Sequence, residues 1–280
     1  MELNIKVGAD PELFIRNPND NTFVCANGRM PGTKAQPHPV QFGAVQVDGF
    51  AAEFNIDPAE NREDFIRNIK TVQSELAAMH PGFDLVATPT AMFAKDYFLE
   101  QPAEARELGC NPDWNAYTQA ENPAPKDIIG TRTGSGHIHI GWRDDGDAFD
   151  PVHLADCYAI VKQLDYYIGV PSLAWDFDTK RRKMYGKAGA FRPKSYGLEY
   201  RTPSNAWLNY GDAMAGWIFD RAKAAVVDLV SGKTPMERSW GAGWAQTVIN
   251  ENYQFSRYWS SAAEYANPIQ LPPVEGLKVA

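Results

Sequence analysis

Four short segments place acidic, imidazole and guanidinium groups where an extended chain would gather them on one face. In Gly8-Ala9-Asp10-Pro11-Glu12-Leu13-Phe14, Asp10 and Glu12 fall on the same side of a strand, because side chains alternate. Two carboxylates side by side repel unless a cation sits between them, so the pair points to a divalent metal. A solvent-facing acidic strand is the plain alternative. In Asp48-Gly49-Phe50-Ala51-Ala52-Glu53-Phe54-Asn55-Ile56, Glu53 and Asn55 share one face and Ala52, Phe54 and Ile56 the other. A lone acid in that setting faces either water or a site.

The third segment, Thr133-Gly134-Ser135-Gly136-His137-Ile138-His139-Ile140-Gly141-Trp142, holds two of the five histidines on one strand face, with Ile138 and Ile140 behind them. A paired imidazole face after a Gly-Ser-Gly turn favours a site over two structural histidines, and glycine lets backbone approach a ligand closely. The fourth, from Lys180 to Asn205, carries Arg181, Arg182, Lys183, Lys187, Arg192 and Lys194 among glycines and aromatics, then Glu199 and Arg201 on a common strand face. Basic groups with flexible glycines suit a polyphosphate; a solvated charge run or a nucleic-acid patch is the alternative.

Taken together, carboxylates with one imidazole suit Mg²⁺ or Mn²⁺, whereas zinc would call for more nitrogen or sulfur. Metals bridging phosphate oxygens, with arginines holding the charge that develops, are what phosphoryl transfer requires. No phosphate loop supplies that function: Gly28-Arg29-Met30-Pro31-Gly32-Thr33-Lys34 lacks the needed spacing, and GxGxxG and GxSxG are missing.

The elements that must position these groups are legible as periodicities. Apolar residues at helical spacing predict helices over 61–80 (Phe65, Ile69, Val72, Leu76, with Glu63 four residues before Arg67), from Asp150-Pro151 to an end at Gly169, and over 211–230 with Gly232 as terminator. Runs at 3–7, 12–16, 44–47, 50–56, 83–87, 136–142 and 196–202 read as strands, and 26–43 and 100–127 as long loops of the kind that cover a site. Without a regular βαβ rhythm the pattern favours α+β with an antiparallel sheet, in one domain over 1–280 with a surface tail at 266–280.

Composition narrows the class. With 44% hydrophobic residues, eight Trp, twelve Tyr and fourteen Phe, the chain has material for a large core. A net charge of −8 lacks the footprint of a nucleic-acid binder, so nucleic acid is expected only as a modified substrate. Cys25, Cys110 and Cys157 form neither a disulfide framework nor a zinc motif. The opening residues Met-Glu-Leu-Asn-Ile-Lys lack the basic-then-apolar pattern of a signal peptide, and no apolar run of ~18 residues occurs in the sequence. The expectation is a soluble cytoplasmic protein.

The order of these motifs resembles the glutamine synthetase and glutamate–cysteine ligase superfamily, and within it the phage carboxylate–amine ligases labelled COOH·NH2 ligase type 2. Residues 8–14 are similar to the family's G-x-E-x-E strand with Asp10 for the first Glu; Gly134–His139 resembles G-S-G-x-H-x-H, one residue shorter; Gly197–Asn205 resembles the closing Glu/Arg signature. The resemblance implies a curved, mostly antiparallel sheet with helices on one face. ATP and small-molecule or peptide carboxylate and amine substrates would meet on the concave side, in the host cytoplasm for a phage protein. Carried over, Asp10, Glu12, Glu53, His137 and Glu199 hold Mg²⁺ and Arg192 and Arg201 contact the γ-phosphate. His139, Arg182 and Lys187 help bind the nucleotide, and Asp48 stands near the amine. Phosphotransfer of the guanidino-kinase kind, non-catalytic nucleotide or metal binding, and metal-dependent hydrolysis are the rival readings.

Overall fold

The computed structural model describes residues 4–107, 113–124, 128–234, 241 and 243–251; Cys110 and the segment 266–280 lie outside them. In chain order the strands are β1 (Lys6–Arg16), β2 (Phe23–Val24), β3 (His38–Val40), β4 (Gly43–Asp48), β5 (Ala51–Ile56), β6 (Asp84–Val86), β7 (Thr90–Met92), β8 (Trp114–Asn115), β9 (Ala120–Glu121), β10 (Thr131–Thr133), β11 (Gly136–Gly141), β12 (Ala190–Lys194) and β13 (Gly197–Tyr200). The helices are α1 (Arg62–Ala78), α2 (Lys95–Glu100), α3 (Ala103–Arg106), α4 (Pro151–Leu164), α5 (Val170–Ser172), α6 (Thr179–Met184) and α7 (Gly211–Val230), followed by Trp244–Glu251.

Among the described residues eleven strands form one sheet in the order β3-β4-β5-β1-β11-β13-β12-β8-β9, with β2 and β6 also on β1, and every pairing between these strands is antiparallel. The α+β expectation is therefore met. The separate runs at 3–7 and 12–16 are one strand, β1, whose first half pairs with β11 and second half with β5. The two stretches expected as loops also contribute: β3 extends one edge and β8–β9 the other. Strands of two or three residues carry too little alternation to be seen in sequence.

Alternation divides the sheet sharply. Val7, Ala9, Phe54, Ile138, Ile140, Leu198, Tyr200 and Phe191 are buried on one face, against the inward stripes of α1, α4 and α7. Each such side chain contributes ~1.5–3 kcal/mol through burial. The N-terminus of α1 is capped by Asn61, whose Oδ1 accepts the Asp64 N–H, and that of α4 by Asp150 ahead of Pro151. Arg67 pairs with Asp64 rather than Glu63, and stacks on Phe42. Among the described residues no helix is long and apolar enough to cross a membrane.

Gly169 does not end the second helix. The chain runs from α4 through a π-turn, Asp165–Gly169, into α5. A Cβ on Gly169 would sit 2.6 Å from Tyr200 Oη and 2.7 Å from Ile249 Cδ1, so the glycine serves packing. The buried Asp165 at the start of this turn accepts from Tyr200 Oη at 2.6 Å and Thr202 Oγ1 at 3.4 Å. Burial pushes its pKa up to about 7 against these hydrogen bonds. A raised folded pKa means that the folded state holds a proton the unfolded chain has released, so the stabilising contribution is present below the ordinary Asp range and lost as pH rises to 7. Relative to Asp165→Asn, wild type is expected to lose up to ~4 kcal/mol between pH 4 and pH 8. Denaturant unfolding across that range checks this, and a pH-independent difference would refute it.

Candidate functional site

The second face of the sheet carries the chemistry. Register places Asp10 beside His137, Glu12 beside Glu53, Gln46 beside Glu53, His139 beside Glu199, and Arg192 beside Glu199. Because each pair is directly opposite, period-two alternation gathers β4, β5, β1, β11, β13 and β12 side chains into one row. The Gly-Ser-Gly turn helps in a way that differs from expectation. A Cβ on Gly136 would meet Ser204 O at 2.3 Å and Trp207 Nε1 at 2.4 Å, and one on Gly134 the Asn205 amide at 2.4 Å. The protein itself, backbone and side chain alike, makes the close approach for which the glycines leave space. The result is that Ser135 N–H donates to Glu12 Oε2 at 2.8 Å and holds that carboxylate in place.

At the centre, His137 Nδ1 lies 3.4 Å from Asp10 Oδ1 and 3.3 Å from Glu199 Oε1, while His139 Nε2 lies 3.0 Å from Asp10 Oδ2. Glu199 is fully buried and is met by Lys194 at 2.7 Å, Arg192 at 3.4 Å and Arg201. Arg201 in turn faces Asp113 at 3.9 Å. On the far side Gln46 Nε2 donates to Glu53 Oε2 at 2.7 Å, and Lys34 pairs with Asp48 at 2.8 Å.

This density of charge shifts the titrating groups. Burial, then the charge of Asp48, pushes Glu12 up to about 7. Burial with Asp48, Asp10 and Glu12 holds Glu53 well above the carboxylate range. Burial opposes ionisation of Asp10 too, but the imidazoles of His139 and His137 outweigh it and hold Asp10 low. Burial and the Arg201 guanidinium press His137 down to about 4, so it is neutral near pH 7. His139 moves the other way, since Asp10 outweighs burial.

The residues fit a divalent cation. Asp10, His137 and Glu199 each offer a ligand atom within 4.8 Å of the others. Asp10 Oδ1 is buried without a hydrogen bond, although His137 Nδ1 is close, so the two converge without being aligned on each other. Glu12 and Glu53, held up first by burial and then by neighbouring carboxylates, line the same row, and an oxygen-rich set with one imidazole is the donor set of Mg²⁺ or Mn²⁺.

Two cavities meet at this row and share Asp10, Gln46 and Glu53. The first, about 590 Å³, is lined by Glu12, Asp48, His137, Arg192, Lys194, Glu199 and Arg201 among others. The second, about 790 Å³, is lined by Trp142, Tyr196, Ile56, Pro58 and His139 together with Lys6, Arg143, Asp144 and Asp145. Nine of the residues singled out in the sequence (Asp10, Glu12, Asp48, Glu53, His137, His139, Arg192, Glu199 and Arg201) line one or both.

Arg182 and Lys187 do not. Arg182 is drawn into the interior by α6 and faces Asp176 at 3.3 Å, and Lys187, after the left-handed Gly186, is exposed to solvent. Residues not singled out also line the cavities. Gln46 lies two positions from Asp48, and alternation alone would have found it; Lys194, named in the basic run, lines the first cavity as well. Lys34, Asp113, Tyr185 and Tyr196 come from loops and turns with no such signal.

No curated protein matches the chain. A solved structure titled "Crystal structure of novel glutamine synthase homolog" aligns at 14% identity and a TM-score of 0.43, over 95% of this chain; this chain spans 64% of that one. Residues 124–231 match the family described as phage phiEco32-like COOH.NH2 ligase-type 2, a segment that supplies His137, Arg192, Glu199 and Arg201. The resemblance read from motif order thus stands, and the chain is recognised as similar to the phage phiEco32-like carboxylate–amine ligases of type 2.

Proposed function

We propose that this chain is an ATP- and Mg²⁺-dependent carboxylate–amine ligase acting as one catalytic domain. The observation that carries the reading is the acidic row of Asp10, Glu12, Glu53 and Glu199 with His137, set where two cavities meet. The aromatic walls of the larger cavity, Trp142 and Tyr196, suit a nucleobase, with phosphates reaching the row past His139. The other cavity presents Arg192, Lys194 and Arg201 to anionic groups.

Bound Mg²⁺ on the row would neutralise phosphate charge. The protein groups do the rest. Arg192 and Arg201 hold the γ-phosphoryl group while a substrate carboxylate oxygen bonds to its phosphorus and the bond to ADP breaks, giving an acyl phosphate. The substrate amine nitrogen then bonds to the acyl carbon, inorganic phosphate leaves, and the ammonium proton passes to a carboxylate, a role we assign to Asp48, which lines the smaller cavity. Small molecules or peptide ends fit cavities of these sizes as carboxylate and amine.

The test is ADP release by purified protein with ATP, Mg²⁺ and pooled amino acids and polyamines, followed by mass spectrometry. ADP release that needs both a carboxylate and an amine, with an amide product, is the expected result. A phosphorylated product without an amide would replace the ligase by a phosphotransferase, and failure to bind ATP with Mg²⁺ would end the reading.

A further inference from the structure

The dipeptide Tyr-Gly occurs twice in the basic segment, at 185–186 and 196–197, and each phenol reaches one imidazole of the site. Tyr185 Oη lies 3.3 Å from His137 Nε2, and Tyr196 Oη 2.5 Å from His139 Nδ1. In both rings the other nitrogen faces Asp10, Nδ1 in His137 and Nε2 in His139. The imidazoles are therefore turned in opposite senses around one carboxylate.

Each tyrosine is followed by a glycine whose surroundings leave no space for a side chain. A Cβ on Gly186, at φ +75°, would lie 2.3 Å from Arg181 Nη1, and one on Gly197 would lie 2.0 Å from Ile140 O. The Tyr185 ring also sits between two guanidiniums, 5.4 Å from Arg181 and 5.2 Å from Arg201. Arg181 is buried and donates to the carbonyls of Thr202 and Pro203 at 2.9 Å each, so the group that holds the ring is tied to the backbone just beyond Arg201.

We propose that Tyr185 is a positioning residue for His137: its phenol oxygen accepts the Nε2–H and leaves the Nδ1 lone pair turned toward Asp10 and Glu199, where a divalent cation would sit. An imidazole presents a lone pair on one nitrogen only when the other carries the proton, and the partner of that proton decides which one. The reverse arrangement, with Tyr185 Oη donating to Nε2, puts the proton of a neutral His137 on Nδ1 and closes that nitrogen to a cation. Tyr196 provides an internal comparison, because His139 stands outside the Asp10–His137–Glu199 group. The inference rests on the metal reading above and adds the residue that sets the imidazole for it.

Long-range ¹H–¹⁵N spectra of the full chain in Mg²⁺ are expected to show His137 as the Nε2–H tautomer. Tyr185→Phe keeps the ring between the guanidiniums but removes the acceptor. Its Mn²⁺ affinity, read from the free-ion EPR signal, is expected to fall ~10–100-fold, the usual effect of losing such a partner. Tyr196→Phe is expected to weaken Mn²⁺ binding by less. An Nδ1–H tautomer at His137 overturns the assignment without any variant, as does equal Mn²⁺ affinity in wild type and Tyr185→Phe, or equal losses in the two variants. A wild type that binds no Mn²⁺ overturns the metal reading and this assignment together, whereas wild-type binding with an unaffected Tyr185→Phe overturns this assignment alone.

Discussion

Replacing Glu199 by Gln is expected to lower substrate-dependent ADP release by at least ~10²–10³-fold, the scale of losing a preorganised charge at a phosphoryl-transfer site. The side chain keeps its volume, so packing around a group with 1% exposure is preserved. The charge is what disappears. In wild type that charge answers Lys194, Arg192 and Arg201 at once and faces His137 Nδ1. Burial and Asp10 work against its ionisation, and His137, His139 and Lys194 outweigh them. A Gln amide turns an N–H₂ toward a cation or toward the imidazole, so the three basic groups lose their common anchor and the arginines their aim. Stability is expected to fall by ~1–3 kcal/mol, because Lys194 and Arg192 retain some access to water that replaces part of the lost pairing. ADP release and denaturant unfolding of the same preparation separate the effects: a folded variant that is inactive supports the assignment, and a folded variant with wild-type turnover defeats it.

The elements that hold Glu199 show what a sequence reveals and why it stops. Strand alternation is local, so the shared faces of Asp10 with Glu12, His137 with His139, and Glu199 with Arg201 were legible, and antiparallel pairing then stacked those faces across β1, β11 and β13. The inward stripes of α1 and α7 were legible for the same reason. Cross-strand neighbours were not, since register depends on pairing between distant segments: nothing near Asp10 says that His137 lies opposite it. Arg182 shows the converse error. It belongs to a basic run and looks available for phosphate, but helix α6 turns it inward to Asp176, and composition carries no information about which way a helix faces. The glycines of 134–136 mark a close approach, as their spacing suggests, but the protein's own atoms make it and not a ligand, because a missing Cβ does not say what fills the space.

Divalent metal is expected to raise the melting temperature, and to raise it more at pH 8 than at pH 5. Without a cation the folded chain keeps protons on Glu12, up to about 7, and on Glu53, higher still, because burial and neighbouring carboxylates disfavour their charge. Raised folded values mean that stability is fully present below the ordinary Glu range and is lost as pH climbs through 7. A cation seated on Asp10, Glu12, Glu53 and Glu199 takes the place of those protons, so its binding strengthens with pH and releases them. At ~100 times the dissociation constant the gain is ~2.7 kcal/mol, or roughly 5–10 °C for a chain of this size. Asp10→Asn, which removes the carboxylate shared by both imidazoles, is expected to lose most of it. The slope due to Asp165 persists in metal and in EDTA alike, because that side chain lies among Tyr200 and Thr202, away from the row. Scanning calorimetry in Mg²⁺ and in EDTA at both pH values reads all three contributions. Equal melting temperatures at pH 8 with and without Mg²⁺ would mean that the acidic row is not a cation site.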